Sequence, residues 1–375
     1  MIAAVVVFWA SLGALAWTHV LYPAVAAVGA RLRTKPVAVD DGYLPTVAVI
    51  VVAYNEERDI ERRIANLREL DYPQELLEIV VTSDASTDRT EELAAAAGAR
   101  VIRNQRGGKV AAQDAAVRGT EAEVVAFSDA NATWSPDALR KLVRNLADPK
   151  VAYVCGRLQL EAVDGGNQEG VYWRYELGLR SLESRLCSIT AGNGAIYATR
   201  REDYLVVDPI MGHDLSLPFN MVKRGRRAVY VPQARAREKM VPTLGGEYAR
   251  KRRMMSHTWP IVLRGGMLSP RGYPPAYALM IFSHRVLRYC TPLLHVLALA
   301  ANVALLAAGA GTLYWVTLAL QLALALAALL GGALRMRPLL LARYYVLTTA
   351  SLAAGLWDWV RHGTAAWWDA AEGTR

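Results

Sequence analysis

Two stretches of this 375-residue chain contain no Asp, Glu, Lys or Arg: residues 1–30 and residues 290–334. Each exceeds the roughly 20 apolar residues that a membrane span needs, which excludes a purely water-soluble protein. Disorder is excluded by a hydrophobic content of 53%. Cysteine is scarce: Cys155, Cys187 and Cys290 are odd in number, far apart and without C-x-x-C spacing, so neither a disulfide framework nor a zinc site is indicated. Glycine-rich phosphate loops are also missing. The absence of G-x-G-x-x-G after a strand argues against a dinucleotide cofactor, and the absence of G-x-x-x-x-G-K-[ST] excludes P-loop hydrolysis of a nucleoside triphosphate.

What charge there is lies between the apolar stretches. Residues 31–289 hold 38 of the 43 basic and 31 of the 34 acidic residues. Met1 to Ala30 lacks a positive leader and is followed by Arg31, Arg33 and Lys35 rather than a small-residue cleavage site, which reads as an uncleaved anchor. Positive-inside reasoning then puts the N-terminus outside and the central domain in the cytoplasm. The second stretch is long enough for two spans, near residues 292–310 and 313–334, and a third candidate covers about 339–357 after Arg335 and Arg337. Four crossings would leave the C-terminus outside; an interfacial or re-entrant last helix would return it to the cytoplasm. The expected organisation is an anchor (1–30), a cytoplasmic domain (31–276), a helix at headgroup level (277–289), two or three spans (290–360) and a tail (361–375).

Inside the central domain, strand and helix patterns alternate. Residues 46–53 read TVAVIVVA, a continuous β-branched run suited to a strand buried on both faces. Helical spacing follows over 56–70, then a strand at 76–82, a helix at 88–97, a short strand at 100–103, a helix at 109–119, a strand at 123–128 and a helix at 135–146 opened by Ser135-Pro136-Asp137. This alternation predicts an α/β domain with a mostly parallel sheet. Such sheets bind ligands beyond the carboxyl ends of their strands. There stand Tyr54-Asn55-Glu56, Asp84 within S-D-A-S-T-D, and Asp129 within D-A-N. Two acids at strand ends suit a Mg²⁺ or Mn²⁺ ion held by one or two carboxylates and the phosphates of a nucleotide diphosphate.

In this motif order the chain resembles the family 2 glycosyltransferases of GT-A fold (Rossmann-like, mostly parallel sheet), in their membrane-anchored bacterial branch, over residues 45–264. The resemblance implies that Tyr54, Asn55 and Glu56 lie at the nucleoside, that Asp84 contacts the base and ribose, that Lys109 of Gly107-Gly108-Lys109 lies near the nucleotide, and that Asp129 is the metal ligand. Where the family carries D-x-D, this chain has Asp129-Ala130-Asn131, so Asn131 offers an oxygen without a charge. Gly192-Asn193-Gly194-Ala195 is similar to the strand shaping the sugar pocket. Gly212-His213-Asp214 resembles the family's acidic motif, with Asp214 as general base and His213 beside it in the pocket. The polymer synthases' Q-x-x-R-W is reduced to Arg250-Lys251-Arg252-Arg253-Met254. Arg253, with Arg250, is assigned to the phosphates, while the missing Trp puts processivity in doubt unless Trp259 substitutes.

Residues 222–264 contain twelve Lys or Arg against Glu238 and Glu247. Beside membrane spans and without a nucleic-acid motif, this block points to an anionic donor and an anionic leaflet, not to nucleic acid. The expected activity is inverting, metal-dependent transfer of a sugar from a nucleotide-diphosphate donor, UDP foremost, to a hydroxyl of a lipid-linked or saccharide acceptor at the cytoplasmic face of the plasma membrane. Two alternatives stay open: a processive synthase that exports its polymer, and a non-enzymatic membrane scaffold or transporter component.

Overall fold

In a computed structural model, residues 1–161, 170–239, 244–334 and 336–367 are described. Arg335, part of the expected loop signal, and the end of the expected tail lie outside them. Among the described residues the strands are β1 (Val47–Ala53), β2 (Leu77–Asp84), β3 (Arg100–Asn104), β4 (Val124–Asp129), β5 (Thr133–Trp134), β6 (Val151–Glu161), β7 (Tyr197–Arg200) and β8 (Arg227–Lys239). They form one sheet in the order β3-β2-β1-β4-β7-β6-β8-β5. β1 to β4 are parallel, as the alternating pattern predicts. β7 runs antiparallel to both β4 and β6, β8 is parallel to β6, and β5 is antiparallel to β8.

The reason for the central run is visible in its burial. Every residue of β1 except the partly exposed Val52 is buried, and each fully buried Val or Ile contributes about 1.5–3 kcal/mol relative to exposure. Val49, Val51, Ile60, Ile64 and Trp134 share one core face, and Ile50, Phe127, Tyr153 and Tyr197 share the other. Helices α1 (Ile2–Leu32), α2 (Ile60–Arg68), α3 (Thr90–Ala96), α4 (Lys109–Arg118), α5 (Ala138–Val143), α6 (Gly170–Leu186) and α7 (His213–Lys223) precede the C-terminal group. That group is α8 (Leu244–Leu263), α9 (Pro275–Tyr289), α10 (Thr291–Ala307), α11 (Thr312–Leu334) and α12 (Arg337–His362).

Among the described residues three helices are long and apolar enough to cross a membrane: α1, α11 and α12. The pair α9 and α10, bent by 64°, passes the same test together. Yet the charges of α9, expected at headgroup level, face protein. His284 is fully buried between carboxylates, 2.6 Å from Glu183 and 3.2 Å from Glu176. Arg288 pairs with Glu176, and Arg285 donates to Thr190. Burial would raise the carboxyl of Glu176, but Arg288 and His284 hold it well below the usual range. α1 joins this cluster. Tyr22 donates to Glu183 at 2.8 Å, Thr18 to the Ser283 carbonyl at 2.7 Å and Trp17 Nε1 to Ser283 Oγ at 2.8 Å. The contact falls where both helices widen into π turns, at Trp17–Leu21 and Ile281–Val286, a local geometry that frees backbone groups for tertiary bonds.

α12 lies on α8. Trp259 Nε1 donates to the Leu352 carbonyl at 2.9 Å, and Arg252 reaches Asp358 with two bonds of 2.6 Å. The helices cross at Gly355, where a Cβ would stand 2.5 Å from that of Met255.

Candidate active site

The first parallel strands end together, and their turns are tied to one another. Asn55, at φ +56, donates its amide to Ser86 Oγ and accepts from the Thr87 amide at 2.8 Å, while the Glu56 amide donates to Thr90 Oγ1. Asn55 therefore ties the two turns together. Asp84 is buried, and its oxygens accept from the Gly107 and Gly108 amides at 2.7 and 3.0 Å and from Arg106 at 3.0 Å. The Arg106 guanidinium lies 3.2 Å above the centre of the Tyr54 ring. Asp84 thus shapes the turn that opens α4, and Tyr54 with Arg106 forms the partly exposed edge of that turn.

One residue further, Lys109 pairs with Asp129 at the end of β4. Burial lowers the ammonium's affinity for its proton, but Asp129 more than offsets this and the pKa is raised. Gly194 lies over the pair, since a Cβ there would be 3.0 Å from Lys109 Nζ and 3.9 Å from Asp129 Oδ2. Asn193 is buried and locks its own loop, donating to the Gly156 carbonyl and accepting from the Ala195 and Ile196 amides. Gly192 donates its amide to the Asp214 carbonyl at 2.7 Å and leaves room for the Tyr153 hydroxyl, which a Cβ would meet at 2.2 Å. This short loop therefore connects Asp129 to Asp214. Asp214 stands in the first turn of α7 and is partly exposed. Burial raises its carboxyl, with Lys109 opposing.

Two expected pocket residues lie elsewhere. His213 is 3% exposed and sits beneath the site between Tyr197 and Tyr204, whose hydroxyls lie 2.9 and 3.3 Å from its ring nitrogens. Burial, with Lys109 adding to it, pushes its pKa down to about 3, so it is a neutral support for α7. Trp259 is buried in the α8–α12 contact beside Tyr289; its indole is spent on packing and cannot replace the missing tryptophan of the synthase motif.

The basic block also divides. Arg226 pairs with Asp203, Arg227 donates to the carbonyls of Lys35 and Pro36, Lys223 to that of Gly266, and Arg250 and Lys251 to Glu247. These cations brace the fold rather than forming an open leaflet-facing surface. Arg250, Arg253 and His257 share one face of α8 by their spacing, and Arg253 and His257 interact electrostatically.

One residue of the site escaped sequence reading. β5 pairs with β8 through Thr133 with Arg237 and Trp134 with Ala236, which delivers Glu238 to the end of β4. Burial, reinforced by Asp129, pushes the Glu238 carboxyl up to about 8, and its Oε1 is buried without a hydrogen-bond partner. Arg63, almost fully buried and stacked 5.1 Å from the Trp134 ring, adds positive charge behind the two acids. Two facing carboxylates with an unsatisfied oxygen fit a divalent cation. The signal was present in Ala234-Arg235-Ala236-Arg237-Glu238-Lys239, whose alternation puts 234, 236 and 238 on the inward face. Among the described residues no group of three or more His, Cys, Asp or Glu is placed to hold a metal, so a cation here would need further ligands from substrate or water.

Comparison with known proteins agrees with this geometry. Residues 48–204 match the family described as Glycosyl transferase family 2. A beta-monoglucosyldiacylglycerol synthase from Nostoc sp. is 30% identical over 191 residues, 48% of this chain and 40% of the synthase. The match thus spans less than half of that relative's length. An N-acetylglucosaminyltransferase from Rhizobium leguminosarum bv. trifolii is 30% identical over 137 residues, 34% of this chain and 75% of the relative. A mannosyltransferase from Pyrobaculum calidifontis, solved in complex with GDP-Man and Mn²⁺, superposes with a TM-score of 0.75 at 26% identity, covering 96% of this chain and 98% of that one. Sheet order, the acids at the strand ends and these likenesses agree, and the chain belongs to the family 2 glycosyltransferases, with a GT-A fold.

Proposed function

We propose that this glycosyltransferase moves a sugar from a nucleotide-diphosphate donor to an acceptor hydroxyl at the membrane surface, with inversion at the anomeric carbon. The observation that carries the reading is the loop Gly192–Gly194, which holds the Lys109–Asp129 pair and Asp214 around one space. The donor's diphosphate lies on the Lys109 and Asp129 side, with Arg253 and Arg250 of α8 contributing positive charge. Asp129 and Glu238, with Asn131, would hold Mn²⁺ or Mg²⁺. When bound, that ion supplies Lewis-acid stabilisation of the diphosphate.

Asp214 takes the proton of the attacking hydroxyl as its oxygen bonds to the anomeric carbon from the face opposite the diphosphate. The bond from that carbon to the diphosphate oxygen breaks, and the electron pair leaves with the nucleoside diphosphate. No covalent intermediate is required. The mannosyltransferase complex supports a nucleotide sugar and Mn²⁺, and the name of the Nostoc relative supports a lipid acceptor. The apolar helices beside the domain support an acceptor at a bilayer surface.

The test is nucleoside diphosphate release by the purified full chain with Mn²⁺, across UDP- and GDP-sugars, with diacylglycerol lipids, lipid-linked sugars and soluble saccharides as acceptors. Sugar transferred to one acceptor class supports the reading. Absence of release from every donor overturns it.

A further inference from the structure

Beyond α12 the chain turns back onto the catalytic domain. Gly363, at φ +73, makes the turn, and Thr364 Oγ1 donates to the Ser256 carbonyl of α8 at 3.0 Å. The next residues reach the Gly107–Gly108 turn. A Cβ on Gly108, itself at φ +86, would stand 2.0 Å from the Ala366 carbonyl oxygen and 3.1 Å from the Trp367 nitrogen. Backbone therefore lies directly on backbone, and only glycine admits the approach. Gly108 is also the residue whose amide holds Asp84 and which precedes Lys109. The segment thus covers the turn between the Tyr54–Arg106 edge and the Lys109–Asp129 pair.

We propose that residues 363–367 form a wall of the donor site and hold the nucleoside half of the donor against the Gly107–Gly108 turn. The inference rests on the donor reading given above. Trp367 is 51% exposed at this position, an indole face of the kind on which nucleobases stack, and stacking tolerates any base. The carbonyl of Ala366 and the amide of Trp367 add polar groups that a ribose or base can use. Sequence motifs do not show this wall, because it comes from a segment more than 250 positions after Gly108.

The experiment measures Mn²⁺-dependent binding of UDP and GDP by calorimetry to the full chain, to the Trp367→Ala variant and to a chain ending at His362. The full chain binds one nucleotide, and both variants bind it more weakly, by about tenfold for Trp367→Ala, the scale of one lost base–aromatic stack. Trp367 is exposed, so its replacement leaves the fold intact even if the shortened chain is unstable. Amide exchange in 363–367 slows when the nucleotide is added. Equal affinity in Trp367→Ala and the full chain, with no change in exchange, overturns the wall while leaving the donor reading in place. Tighter binding by the shortened chain also overturns it, because the segment would then obstruct the site. If the full chain binds neither nucleotide, the donor reading fails and the wall with it.

Discussion

Asp214 owes its chemistry to opposing influences. Burial raises its carboxyl, while Lys109 and the amide end of α7 favour the anion. A base with a raised pKa is protonated over a wider acidic range, so activity falls as pH drops through a value above the ordinary aspartate range and is regained as pH rises. A profile of kcat/KM against pH checks this; an acid limb within the ordinary aspartate range contradicts it. Asp214→Asn lowers kcat by about 10²–10⁴-fold, the usual contribution of a positioned base, with nucleotide binding kept. Full turnover by the folded variant removes Asp214 from the role. Glu238 makes a separate prediction. Glu238→Gln weakens Mn²⁺ binding by at least about tenfold, read directly by electron paramagnetic resonance titration, and Asp214→Asn leaves that binding unchanged. Unaltered Mn²⁺ affinity in Glu238→Gln assigns Glu238 to structure alone.

At the level of elements, legibility follows patterning. β1, β2 and β4 were legible because burial on both faces demands apolar, β-branched runs, as in β1, and the short edge strand β3 by its place between two helical patterns. β6 and β8 were not, since both leave the buried core part-way along and carry Arg, Gln, Glu and Lys on their outer residues. In β8 those cations continue into the basic block, which hides the two-residue alternation that puts Glu238 on the inward face. Helix α12 shows the same lesson: hydropathy reads it as a span, whereas its second half packs on α8. The close approach at Gly355 predicts that Gly355→Val destabilises the protein by about 1–3 kcal/mol through overpacking. Loss of the half-exposed Arg252–Asp358 pair in Arg252→Ala costs at most about 1 kcal/mol. Thermal unfolding of the two variants in one detergent compares them, and equal stability of Gly355→Val and the parent contradicts the packing argument.

At the scale of the whole molecule, the two ends of α12 constrain how the apolar helices could sit in a bilayer. The segment after it touches the catalytic domain at Gly108, so the C-terminal end of α12 lies on the same side as that domain. If α1, α10 and α11 cross a membrane and α12, whose second half packs on α8, does not, the N-terminus and the Gly309–Gly311 turn face the opposite side. Such an arrangement would match the expected alternative in which an interfacial or re-entrant last helix returns the tail to the side of the catalytic domain. Single cysteines at Gly309 and Gly363 in sealed vesicles test it: a membrane-impermeant maleimide labels them from opposite faces. Labelling of both from one face contradicts it.

The ionic seam between α1, α6 and α9 bears on how this enzyme can be handled and turned over. Thr18, Tyr22 and Trp17 complete a cluster whose other members are buried acids and cations of the catalytic half. Cutting the chain before Arg31 would therefore not liberate a soluble enzyme. It would leave Glu183 short of a donor and open a polar seam to water. A protease that clips the first helix would inactivate the protein, and activity would stay confined to the surface where its acceptor is proposed to reside.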